Sequence, residues 1–344
     1  MSSLLLQKRM AADDEASELC HDMLVEVLTR LPLRSFSRSR CVSKSWRDLA
    51  SGDHVRSKLP LVVSGVSRLR DDDTPTYVST LAGGSSIRPV DLGFLPFRSG
   101  STLVDCCDGL LLFYSSSLAS SFHVCNAITG RSAALPRPTS GRTPLLSVAL
   151  FDPTRSRHFR VVSFVRWLAR GAELEVFDSE LGGWAAREAR WGLSTDALTA
   201  TMRYADGVLY VLAQPRQMVA VRLDSMACDV VELPEAVEVG SCFGKLGGRL
   251  HYSVGDGRRL RAWALEGEEW VLKHCVEIKM DGFRVMGFNP EREVVYMRVG
   301  TKLVAYDLCE EGVEEVWEFG QEGKGHLMHV WVFPFAKNLE DLLS

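Results

Sequence analysis

Residues 19–59 read LCHDMLVEVLTRLPLRSFSRSRCVSKSWRDLASGDHVRSKL, and the organisation of the whole chain follows from them. Leu19, Met23, Leu24, Val27, Leu28 and Leu31 recur at helical spacing, while Glu26, Thr29 and Arg30 take the opposite side. Asp22 places negative charge in the first turn, where it complements the helix dipole. Pro32 has no amide proton and pushes its predecessor away from helical geometry, which predicts a stop near Leu31. A short second helix is expected over Leu33–Arg38. A third carries Val42, Trp46 and Leu49 at spacings of three or four. A helical unit of about 40 residues buries too little surface to stabilise itself well. Its apolar stripe needs a further surface, either the rest of its own chain or a second protein, and spacing alone leaves both open.

The 344 residues are enough for one large domain and one small one, and 46% hydrophobic with 24% charged residues is ordinary for a folded protein. Net charge is −4, with ten Lys/Arg against eight Asp/Glu in residues 1–60 and −6 over the remainder. That balance argues against nucleic-acid binding, which calls for a basic face. Arg34, Arg38, Arg40, Lys44 and Arg47 read as a solvated helix face. Nine scattered cysteines (20, 41, 106, 107, 125, 228, 242, 275 and 309) contain no C-x-x-C pair, so neither a disulfide framework nor a zinc site is indicated. Reduced thiols point to the cytoplasm or nucleus. MSSLLLQKRMAADDEAS has too short an apolar run for a signal peptide, and no run approaches the roughly 18 apolar residues of a membrane span.

Beyond residue 60 the hydrophobic period changes from helical to alternating. Short β-rich runs are punctuated by Asp108-Gly109, Asp206-Gly207, Asp256-Gly257 and Asp281-Gly282. Five units start near residues 107, 147, 205, 246 and 286, pairing runs such as ADGVLYVLA with MVAVRLDSMACDVVELP. Their spacing of about 40 residues is that of a four-stranded propeller blade. A single sheet leaves two apolar faces exposed, and stacking sheets around a ring covers them. Segments 60–66, 76–81 and 87–92, with 326–335 from the other end, are expected to build a sixth, composite blade. A β-sandwich or irregular barrel is the alternative.

The stretch LCHDMLVEVLTRLPLRSFSRSRCVSKSWRDL resembles the F-box of plant proteins. There a Leu-Pro-x-Asp start leads to Leu-x-x-Glu-Ile/Val-Leu, Arg-Leu-Pro and Arg-x-Cys-Val-x-Lys-x-Trp-Arg. The matching positions are Leu19, Asp22, Leu24, Glu26, Val27, Leu28, Arg30, Leu31, Pro32, Arg40, Cys41, Val42, Lys44, Trp46 and Arg47. One departure is Cys20, where the family has proline, which loosens the start of the first helix. CDGLLLF, NAITG, FDP followed by FRVV, and DGVLYVL are similar to the F-box-associated, kelch-like β domains of the same plant proteins. The resemblance covers about residues 19–335. It implies an α+β multidomain chain: a three-helix F-box over 18–59 and an all-β, six-bladed propeller over 60–336. Residues 1–17 are expected to be disordered and 337–344 to form a tail. It further implies docking on a Skp-type adaptor, and through it a cullin, by Leu19, Leu24, Val27, Leu28, Leu31, Pro32, Leu33, Val42 and Trp46. The propeller would hold a target protein.

Chemistry was sought in the same residues. Gly240-Ser241-Cys242-Phe243-Gly244 matches a cysteine form of the hydrolase nucleophile elbow, but no helix follows it, so a β-turn link is expected. His326 and His329 sit three apart in a predicted strand and so face opposite sides, a poor metal pair. Asp152, Asp178, Asp224 and Asp307 recur at equivalent places and are expected to bond turn backbone. Trp184, Trp263, Trp270 and Trp317 are expected to pack between blades, and residues 166–200, flanked by Trp167 and Trp191, are the first choice for an elaborated recognition loop if the propeller has one. There is no P-loop or dinucleotide fingerprint. The expectation is a non-catalytic substrate receptor of a ubiquitin ligase, with no cofactor, metal, nucleic acid or membrane involved. The alternatives are a propeller scaffold acting outside any ligase and a propeller enzyme or small-molecule receptor.

Overall fold

A computed structural model of the chain describes residues 21–31, 41–51, 61–68, 76–82, 101–107, 110–115, 122–126, 131–151, 158–280, 282–318 and 326–334, with Phe36, Ser39, Val55 and Ser156 between them. The chain divides into two compact units, Met1–Leu59 and Pro60–Ser344.

In the first unit, α1 spans His21–Arg30 and α2 spans Lys44–Ser51. The first helix ends one residue before the predicted stop, with the Leu31 amide bonded to Leu28 O at 3.2 Å. Ser43 caps α2 by accepting from the Trp46 amide at 3.2 Å, which satisfies one of the donors a helix start leaves orphaned. Val25, Leu28, Phe36, Ala50 and Val55 are buried. Two helices are therefore described where three were expected. The expected Leu33–Arg38 helix falls mostly outside the described residues.

The second unit is built from antiparallel meanders. The first blade holds β3 (Thr102–Cys107), β4 (Leu110–Tyr114), β5 (Phe122–Asn126) and β6 (Ser132–Ala134). The second holds β7 (Leu146–Leu150), β8 (Arg160–Leu168), β9 (Gly171–Asp178) and β10 (Gly183–Arg190). The third holds β11 (Leu198–Ala205), β12 (Val208–Ala213), β13 (Gln217–Arg222) and β14 (Ala227–Glu232). The fourth holds β15 (Cys242–Leu246), β16 (Arg249–Gly255), β17 (Arg259–Glu266) and β18 (Glu269–Glu277). The fifth holds β19 (Arg284–Phe288), β20 (Val294–Val299), β21 (Lys302–Asp307) and β22 (Val313–Glu318). A further sheet of three strands runs β2 (Thr76–Ala82), β1 (Leu61–Arg68), β23 (His326–Pro334).

The expectation of six blades is thereby corrected to a five-bladed propeller. The physical reason lies in the repeat. Each of the five units supplies four strands with its own apolar middle pair, whereas the segments from the two ends pair as a sheet of three. The expected strand at 87–92 lies outside the described residues.

Middle strands are buried on both faces because a neighbouring sheet covers each side. Leu110–Phe113 are all buried, and so are Phe122–Asn126. Outer strands such as β10 expose most of their side chains and read GWAAREAR accordingly. Four apolar cores fill the junctions between successive blades. Leu110, Leu112 and Phe122 meet Phe151, Val161 and Phe177 between the first and second. Val162 and Leu174 meet Leu209 and Val219 between the second and third. Met218 and Leu233 meet Phe243 and Trp263 between the third and fourth. Leu246 and Leu260 meet Val295 and Tyr306 between the fourth and fifth. At about 25 cal/mol per Å² of apolar surface removed from water, these layers dominate the stability of the ring.

Hairpin geometry follows the turn residues. Asp206 (φ 53°) and Gly207 (φ 89°) form the two-residue link between paired Ala205 and Val208. Both residues lie in the left-handed region that a primed turn requires, which is why an Asp-Gly pair stands there.

Candidate functional site

On α1 the apolar residues divide into two stripes. Val25 and Leu28 are 2% and 0% exposed, whereas Met23 and Val27 are 54% and 44% exposed, with Leu24 and Leu31 between. Before α2, Val42 is 65% exposed, and Trp46 is half-buried within it. An α-helix apolar on two sides cannot be explained by its own unit's core alone. Of the residues expected at an adaptor contact, Val27 and Val42 are open and Leu24, Leu31 and Trp46 are partly so. Leu28 is fully buried, and Leu19, Pro32 and Leu33 lie outside the described residues. Met23 is exposed although the expected contact set omits it; its spacing of four from Val27 was the available signal. Arg30 and Glu26 form an exposed pair at 2.5 Å. Such surface pairs contribute little to stability.

In the second unit the residues examined for chemistry are occupied structurally. Cys242 opens strand β15 and is buried, and burial raises its thiol pKa, the opposite of an activated nucleophile. Ser241 Oγ lies 3.0 Å from the Tyr252 hydroxyl, which also donates to Ala236 O at 2.9 Å. Asp178 Oδ1 accepts from the Glu180 and Leu181 amides, and Asp307 Oδ1 from those of Cys309 and Glu310. Asp224 behaves differently, pairing at 2.5 Å with Arg160 of the second blade, and Asp152 lies outside the described residues. Cys107 Sγ donates to Phe151 O at 3.2 Å and lies 3.4 Å from its amide. Asp105 accepts from the Ala149 amide at 2.8 Å. These two β3 side chains thus serve the backbone of β7 and of Phe151 just past it, in the next blade. No group of three His, Cys, Asp or Glu suited to a metal occurs among the described residues.

The tryptophans mark blade junctions. Trp184, second in β10, donates from Nε1 to Pro136 O at 2.7 Å, just past β6. Trp270, second in β18, donates to Glu232 O at 2.8 Å, the last residue of β14. The outer strand of one blade is thus pinned to the end of its predecessor twice by the same device. Residues 166–200 do not form an inserted loop. They comprise the end of β8, all of β9 and β10, a 3₁₀ turn at Thr195–Ala197 and the start of β11.

Glu175, on β9, is 2% exposed, yet a hydroxyl-rich loop rather than a cation satisfies it. Thr139 Oγ1 donates at 2.6 Å, Ser140 N at 2.8 Å and Ser140 Oγ at 2.7 Å. Burial acts to raise the carboxyl pKa, and these donors outweigh it, leaving the group below the usual carboxylate value.

Comparison with known proteins places this geometry. Residues 16–58 match the F-box domain family. An F-box protein of Arabidopsis thaliana is 45% identical over 42 residues, 12% of this chain and 10% of its own. Another is 26% identical over 146 residues, covering 38% of this chain and 37% of that one. A third, named as an F-box/kelch-repeat protein of the same plant, is 25% identical over 195 residues, 50% of this chain and 47% of its own. The longer matches span about two fifths to one half of those relatives. No helix among the described residues is long and apolar enough to cross a membrane. With this motif in the first unit and a bladed β domain in the second, the chain joins an F-box domain to a β-propeller and resembles plant F-box and F-box/kelch-repeat proteins.

Proposed function

We propose that this protein is the substrate-recognition subunit of a Skp–cullin–F-box ubiquitin ligase, working in the cytoplasm or nucleus. The observation that carries the reading is an F-box match over 16–58 in which Met23 and Val27 on α1 and Val42 just before α2 are open to solvent. Single exposed apolar residues are common, but three in one small helical unit of this family are the contact an adaptor would cover. Leu24, Leu31 and Trp46 extend that contact from partly buried positions, and Leu19, Pro32 and Leu33 belong to the proposed surface. Leu28 supports the contact from inside.

The chain contributes position rather than bond chemistry. A target held by the propeller meets the conjugating machinery as an effectively intramolecular partner, at the millimolar local concentrations typical of tethered pairs. No catalytic residue, cofactor or metal belongs to the proposal. The test is co-expression of the full chain with a Skp-type adaptor and capture through the adaptor. The wild type is retained, and V27D combined with V42D loses at least about tenfold of the adaptor because two apolar contacts become unpaired charges. Absence of capture by the wild type, or equal capture by the double variant, overturns the assignment.

A further inference from the structure

The loop between the first and second blades is fastened at both ends by backbone and clamped in the middle by side chains. At its start the Leu135 amide donates to Phe122 O at 2.9 Å, Trp184 Nε1 reaches Pro136 O at 2.7 Å, and Pro138 is buried. At its end the Leu145 amide donates to Phe164 O at 2.8 Å. Between these anchors residues 139–143 are exposed. Thr139 and Ser140 tie them to the second blade through three bonds to Glu175, and Arg142 lies 3.8 Å from Glu173.

Such a flap has two states. Closed, it sets both hydroxyls against a carboxylate that is itself buried; open, it frees residues 139–143 while the anchors keep the two blades joined. Local openings of this kind cost less than global unfolding. The flap reads Arg137-Pro138-Thr139-Ser140-Gly141-Arg142. Arg137 is exposed and stands three residues before Ser140. A cation at that spacing is the charge pattern an arginine-directed serine kinase selects on an extended substrate.

The chemistry would act on the clamp itself. Transfer of the γ-phosphoryl group from ATP forms a bond between Ser140 Oγ and phosphorus, breaks the bond to the bridging oxygen of the departing ADP and releases the hydroxyl proton. Ser140 then loses the donor that reaches Glu175 at 2.7 Å and gains about two negative charges beside that carboxylate. Glu175, held below the usual carboxylate pKa by its donors, is ionised near neutral pH, so the closed flap and the phosphate exclude each other.

We propose that Ser140 is a phosphorylation site for an arginine-directed serine/threonine protein kinase, and that the phosphate holds the flap open, away from Glu175. The inference goes beyond the receptor reading and stands without it.

The test incubates the full chain with ATP and a purified calmodulin-dependent protein kinase, which selects arginine three residues before the acceptor, and maps phosphate by mass spectrometry. Ser140 of the wild type is phosphorylated, and R137A slows the reaction several-fold. Modification of a transiently opened segment tracks the open population, so E175A is phosphorylated at Ser140 at least about tenfold faster. T139A gives a smaller increase and leaves the buried carboxylate in place, so its result holds even where E175A disturbs folding. Amide exchange across residues 139–143 rises in the phosphorylated chain. No phosphate on Ser140 of the wild type, a rate indifferent to R137A, equal rates in wild type, T139A and E175A, or unchanged exchange after phosphorylation overturns the proposal.

Discussion

Replacing Glu175 by alanine removes a carboxylate that receives three donors from one loop: Thr139 Oγ1, Ser140 N and Ser140 Oγ, at 2.6, 2.8 and 2.7 Å. A hydrogen bond to a charged group is worth about 1.5–3 kcal/mol. The three do not add, because they share one acceptor group and the freed loop, which is exposed, recovers hydration. A loss of roughly 2–3 kcal/mol for loop opening is the working figure. Opening is local, so amide hydrogen exchange at Ser140 is the proper assay rather than global unfolding of a two-unit chain. Since about 1.4 kcal/mol is a factor of ten, E175A exchanges Ser140 roughly 30- to 140-fold faster. T139A combined with S140A removes the two hydroxyl donors and leaves the backbone amide of residue 140 bonded to Glu175, so adding E175A to it produces a smaller further change than E175A alone. The pH dependence carries a definite sign. The folded carboxyl pKa is depressed, so the stabilisation is complete above the ordinary value of 4.5 and fades as pH falls through the folded value. Exchange at Ser140 that is unchanged in E175A, or effects of the two sets of substitutions that simply add, would refute the account of the clamp.

Trp270→Phe keeps the ring and removes the donor to Glu232 O, so thermal unfolding of the propeller should drop by the equivalent of about 1 kcal/mol. Trp184→Phe should match it through Pro136 O, and a null result for both would deny the pinning role. Asp105→Ala leaves the Ala149 amide without its acceptor, for which about 1–3 kcal/mol is expected in urea titration. His251 is 2% exposed, and its pKa is lowered by burial first of all. Unfolded chains therefore take up the proton first, and stability should decline as pH falls below 6.5, with H251Q flattening that slope.

Much of the fold was legible because its signals are local. Asp206-Gly207 announces a hairpin through backbone geometry, the proline at 32 forecasts the stop of α1 within a residue, and the apolar runs LLLF and FHVC mark strands covered on both sides. Closure was harder to read, since the number of blades depends on how segments hundreds of residues apart pair. The sheet of β2, β1 and β23 has no repeat signature that distinguishes three strands from four. Within the helical motif, spacing placed Leu28 and Val27 in one stripe, although the first is sealed and the second open. The difference depends on what each side of α1 packs against, and periodicity contains no information about that. Glu175 was invisible for a similar reason. It alternates with Glu173 in ELEVF as a solvent-facing residue would, and only the loop folded over it from 36 residues earlier makes it internal.

The pairing of β1 with β23 sets Leu61 opposite Pro334, so the first and last described strands of the propeller lie side by side. A short linker between those two positions should permit a circularly permuted domain whose new ends are cut at an exposed turn such as Gly257. By the same geometry, a frameshift or stop codon that discards residues 326–334 strips the partner from the opening strand as well. A lesion that late in the domain would therefore damage it at both of its extremities.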